Sequence, residues 1–167
     1  MRGVRSWLAG ALVTLISAGC SDAAASSPLA NAERSKEAVA RAFFAALEAR
    51  DAEALGALRV TREEYESLLW PELPDREQMP FEFAWGINQA VSRKGARQAM
   101  ERYGGARLEL VSFEFEKEPE VYPGFTLHRG AKVVARRLDT GETGILPSFD
   151  VLVEYAGGWK MMDFDEL

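Results

Sequence analysis

The chain has 167 residues, one cysteine, one histidine and a formal net charge of −6, from 20 Lys+Arg against 26 Asp+Glu. An acidic chain lacks the basic footprint that nucleic-acid phosphates require. A single cysteine allows no internal disulfide and, with one histidine, no zinc ligand cluster, so one domain of this length must rest on its core alone.

The N-terminus reads in three parts. Arg2 and Arg5 make a short positive region, Trp7 to Ala18 carries no charge, and the small residues Ala18 and Gly19 lead to Cys20. That is the layout of a secretory signal peptide, and its apolar run is shorter than the roughly 20 residues a membrane-spanning helix needs. "SAGC", ending at Cys20, resembles the bacterial lipobox, with Ser17 where that pattern favours Leu. The resemblance implies cleavage between Gly19 and Cys20, a diacylglycerol thioether on Cys20 and an acyl group such as palmitate on its amine. Two or more acyl chains hold a protein on a bilayer where one barely does, and lipidation removes an exposed thiol from an oxidising compartment. Ser21 stands where an Asp commonly retains lipoproteins at the inner membrane, which points to the outer membrane and a periplasm-facing domain. Without residues 1–19 the balance is 18 Lys+Arg against 26 Asp+Glu, a charge of −8, so the acyl anchor does the holding rather than attraction to anionic lipid. The expected organisation is a signal peptide over 1–19, the lipidated cysteine and a flexible tether "SDAAASSPLAN" over 20–31, and one domain over 32–167.

The first half of that domain reads helical. Asn31 is placed to cap a helix over about 32–50, with Val39, Phe43, Ala46 and Leu47 on one face. Asp51 caps a second, short helix. Thr61 and Glu64 stand at capping-box spacing before Tyr65, Leu68 and Leu69, and Pro71 ends that helix after Trp70. Pro80 suits the first position of a long helix ending at Gly104–Gly105, with a kink near Gly95.

The second half reads as strands. In "RLELVSFEFEKE" Val111, Phe113 and Phe115 alternate with Glu114 and Glu116, and the alternation slips between Leu110 and Val111, which predicts a bulge. "FTLHRGAKVVARRL" forms one strand region. The turn "DTGE" then leads to "GILPSFDVLVEY", where Phe149, Val151, Val153 and Tyr155 alternate, and "AGG" makes a hairpin into "WKMMDF". Helices first and antiparallel strands after them define an α+β domain, helices packed on a curved antiparallel sheet. A leading "AVARAFFAALEARDAEAL", further helices and a closing "VLVEYAGGWKMMDF" resemble the NTF2-like (SnoaL-like) superfamily over about 33–164. The resemblance implies a cone in which the bent sheet wraps the first helix and leaves a pocket, and a homodimer through the outer sheet face. A cystatin-like single helix on a sheet is the alternative.

Chemistry is sparse. Catalytic members of that superfamily set an Asp with a Tyr, or a His with an Asp, inside the cone, and no such pair matches here residue by residue. His128 is the one side chain that titrates near neutrality, and its setting between Leu127 and Arg129 reads as an exposed or hydrogen-bonded strand position. Glu114, Glu116, Glu118 and Glu120 read as a solvated face, as do Asp150 and Glu154, and Asp163, Asp165 and Glu166 as a frayed end. Gly104–Gly105 and Gly157–Gly158 are turn pairs and not phosphate loops. The aromatics are the stronger lead: Trp70, Trp85, Phe113 and Phe115, with His128, are the candidate lining of an apolar pocket. The expectation is a lipid-anchored envelope protein without metal or cofactor that binds a small apolar ligand or a protein partner. The alternatives are an isomerase, dehydratase or hydrolase of the NTF2-like kind, or an accessory subunit of an envelope assembly.

Overall fold

The computed structural model describes residues 27–164. The expected signal peptide, the expected Gly19–Cys20 cleavage and acylation at Cys20, and Asp165 and Glu166 lie outside them. Among the described residues the fold is α+β: four α-helices, then seven strands in two antiparallel sheets, with no barrel.

Helix α1, Lys36–Ala49, starts four residues later than the spacing suggests. Ser35 is its cap, accepting from the Ala38 amide, whereas Asn31 has φ 54°. The reason is tertiary: Glu33 exchanges both backbone hydrogen bonds with Trp159, which holds that stretch extended. The helix buries Val39, Ala40, Phe43, Phe44, Ala46 and Leu47, and Arg50 closes it in the left-handed region. Asp51 caps α2, Ala52–Ala57, by accepting from the Glu53 and Ala54 amides. The Thr61/Glu64 capping box forms and opens α3, Arg62–Glu64. The chain does not stop after Trp70. It widens to a π-turn over Tyr65–Leu69, then tightens to 3₁₀ turns over Trp70–Glu72 and Pro74–Glu77, a change of form at the residue that lacks an N–H. Pro80 is the cap and not the first residue of α4, Phe81–Tyr103, which runs unbroken through Gly95. Past the buried Trp85 its buried side is small, Ser92, Gly95 and Ala99, so that part of the helix lies close against the core.

Strands β1 (Leu108–Phe115), β4 (Ala131–Arg137) and β5 (Thr143–Leu146) form one sheet in the order β1-β4-β5. Strands β2 (Glu120–Val121), β3 (Thr126–His128), β6 (Leu152–Tyr155) and β7 (Gly158–Met161) form the other, in the order β2-β3-β6-β7. The run from Phe125 to Leu138 is therefore two strands in different sheets, parted at Gly130, whose φ of 68° a side chain would resist. "GILPSFDVLVEY" divides the same way. The bulge falls where expected, with the register shifting between Leu110 and Ser112. Val111 is consequently 54% exposed, not on the core face, while Leu108 and Leu110 join Phe113 and Phe115 inside.

Two cores result. Helix α1 packs on β1 and β7 around Phe43, whose ring lies 4.8 Å from Phe149 and 5.9 Å from Phe164. The second core gathers Tyr65, Leu69, Trp85, Phe125, Leu127, Val151 and Val153. Leu152 and Met161 enter the first, so the four-stranded sheet is covered on both faces. Residues 27–31 are not free tether: Leu29 is buried in the second core, Ser27 donates to the Tyr155 carbonyl, and the Ala30 amide donates to Glu64 at 2.6 Å.

Candidate functional site

The link from α2 to α3 is four residues long and fixed at both ends. The Met161 amide donates to the Leu58 carbonyl at 2.9 Å, and the Val60 amide donates to Met161 at 2.9 Å, so Arg59 is held against the outer edge of β7. Leu58 and Val60 bury their side chains in the two cores. Arg59 itself is 91% buried, its exposure 9%. Its Nη2 donates to Asn88 Oδ1 at 2.6 Å, its guanidinium carbon lies 5.8 Å from the Trp85 ring centre, and its Nε has no hydrogen-bond partner. Asn88 in turn donates to Asp163 at 3.4 Å. Burial holds the Arg59 pKa below its ordinary value; Asp163 opposes that shift and Arg93 adds to it.

Beside this guanidinium an open groove of about 430 Å³ runs between α2 and α4. Leu55, Gly56, Ala96, Met100 and Phe164 make its apolar walls, and Arg93 and Arg97 stand at it from α4. Ser92, at the polar end, accepts from the Phe164 amide at 3.1 Å and so ties the end of the described chain to the groove wall. Its size and its mostly apolar walls fit a small-molecule site.

The five candidate pocket residues fall into two separate groups, neither of which lines this groove. Trp85 and Trp70 stack around Tyr65, with ring centres 5.5 and 6.0 Å from it. Phe113, Phe115 and His128 belong to the rim of the α1 core. There His128 stacks 4.9 Å from Phe115 and 4.7 Å from Trp159, and Lys36 Nζ lies 5.0 Å from the Phe115 ring centre. His128 Nε2 lies 3.2 Å from a Glu154 oxygen, so Glu154 is paired and not simply solvated. Asp150 likewise accepts from the Gly130 amide at 3.2 Å, and Asp163 belongs to the Arg59 network and not to a frayed end. The His–Glu pair has the arrangement of a base and its orienting carboxylate, but aromatic rings cover the imidazole, which leaves little room for a reacting group. Glu114, Glu116 and Glu118 are exposed, as the alternation predicts, while Glu120 accepts from Arg129 at 2.6 Å. Among the described residues no group of three or more His, Cys, Asp or Glu is placed to hold a metal ion.

Sequence reasoning missed Arg59, Asn88 and the buried pair Glu64–Lys160. The only local sign of Arg59 is a charge set between two apolar residues, "LRV", after a short helix. Comparison with known proteins adds no relative: no family model, no curated protein and no solved structure matches the chain.

Proposed function

We propose that the protein is an exported lipoprotein, acylated at Cys20 on the periplasmic side of a bacterial outer membrane, whose domain is an NTF2-like, non-enzymatic binding module for a small apolar ligand. The observation that carries the binding reading is the α2–α4 groove, about 430 Å³ with apolar walls and a polar end. The anchor rests on the "SAGC" run after an apolar stretch. Helices followed by antiparallel strands, with α1 packed on β1 and β7, support the NTF2-like reading. The domain sits close to the lipid in this scheme: Cys20 is seven residues before Ser27, a reach of about 25 Å at full extension.

Gly56 gives the decisive variant. A Cβ built there meets nothing within 4 Å, so Gly56→Leu starts without a clash, adds bulk at the groove wall and removes a helix-weakening glycine. Native mass spectrometry of the protein purified from envelopes is expected to find a bound small molecule on the unsubstituted chain and none on Gly56→Leu. Equal ligand on both overturns the groove as the site. Metabolic labelling with palmitate, retained by the natural chain and lost by Cys20→Ser, tests the anchor separately.

A further inference from the structure

A guanidinium carries five N–H donors and cannot shed its charge, so burying one is costly unless its donors are met. Arg59 is 91% buried and meets that demand only in part. Nη2 reaches the neutral Asn88, Nε is unpartnered, and no ion pair closes on it among the described residues. Asp163 attracts it from beyond Asn88. Among the described residues Arg59, Arg93 and Arg97 line the groove with one acid, Glu101, which pairs with Arg97 at 3.8 Å. The apolar groove is thus lined in part by a largely buried cation whose Nε has no acceptor.

We propose that this groove takes an amphipathic carboxylate, a medium-chain fatty acid, with its acid group on Arg59 and its alkyl chain over Leu55, Ala96, Met100 and Phe164. The inference rests on the groove being the ligand site and adds the chemistry of the ligand. A carboxylate supplies what the site lacks, an acceptor with matching charge and the two-oxygen geometry that a guanidinium fork prefers. The backbone bonds from Leu58 and Val60 to Met161 fix the cation before binding, so little ordering remains to be done. An uncharged chain of the same length gains the apolar contact and leaves the buried donor unmet.

The test uses the full chain carrying Cys20→Ser, in detergent-free buffer at neutral pH, titrated calorimetrically with decanoate, decanol and acetate. Decanoate is expected to bind at least tenfold more tightly than decanol, and acetate not to bind. Arg59→Met, which keeps an unbranched stem and removes the charge, brings decanoate down to the affinity of decanol. Equal binding of decanoate and decanol by the chain with Arg59 in place overturns the carboxylate inference and leaves the groove standing, and this comparison needs no Arg59 variant to fold. If neither decanoate nor decanol binds, or if Gly56→Leu leaves both affinities unchanged, the groove reading falls and the inference with it.

Discussion

At the scale of single residues, the most consequential side chain outside the groove is Lys160. It is 2% exposed, its neighbours Trp159 and Met161 on β7 point to the first core, and its ammonium lies 3.0 and 3.2 Å from the two Glu64 oxygens. Glu64 also accepts from the Ala30 and Thr61 amides, so its carboxylate is met on several sides. A pair of this kind adds little over a hydrophobic replacement, but breaking it strands a charge indoors. Lys160→Met is expected to cost about 3–5 kcal/mol in urea unfolding. Tyr65 makes a pH-dependent contribution. Burial, with Asp75 and Asp163 acting in the same sense, raises its phenol from 10.0 to about 12. Below the unfolded value both states are neutral and the contribution is complete. As the pH rises from there through about 12 the unfolded chain ionises first, and stability is lost. The urea midpoint is expected to fall over that window, and Tyr65→Phe to flatten the fall.

At the scale of elements, β1 shows how one residue sets a face. Without the bulge at Val111, strict alternation would turn either Leu108 and Leu110 or Phe113 and Phe115 to solvent. With it, four apolar side chains reach the same core and Val111 alone looks out. Val111→Ser is therefore expected to change stability by no more than about 0.5 kcal/mol, whereas Phe113→Ala costs about 3–5 kcal/mol. A large loss from Val111→Ser in chemical denaturation would show the register to be wrong. The β6–β7 hairpin was legible for the same local reason: Ala156 and Gly157 both take positive φ, 47° and 76°, the pair of angles a two-residue turn of this hand demands.

At the scale of the whole molecule, the N-terminal strap joins parts that no local pattern connects. Leu29 fills the second core, Ala30 reaches Glu64 on α3, and Glu33 pairs with Trp159 on β7. Together with Leu58 and Val60 it closes the outer edge of β7, which would otherwise offer unpaired backbone to another chain. A chain begun at Ala32 is expected to lose about 4 kcal/mol relative to one begun at Ser27, from one buried leucine, the Ser27 hydrogen bond to Tyr155 and one hydrogen bond to a charged group. Equal thermal midpoints for the two would show the strap to be a passive tether. In the lipid-anchored scheme the same docking keeps the groove and its ligand at short range from the bilayer.

The sequence by itself determined what is local. The caps at Asp51 and Thr61, the capping box to Glu64, the bulge at Val111, the AGG turn and the order of helices before strands each depend on residues within a few positions of one another. The tertiary structure decided the rest. Helix α1 starts at Lys36 because Glu33 is claimed by Trp159, and the strand regions split because Gly130 carries the chain from one sheet to the other. Arg59 became a site residue only when β7 fixed its backbone and α4 supplied Asn88 and the groove wall. Its meaning lies in desolvation, and desolvation is set by what packs around a residue rather than by what precedes and follows it.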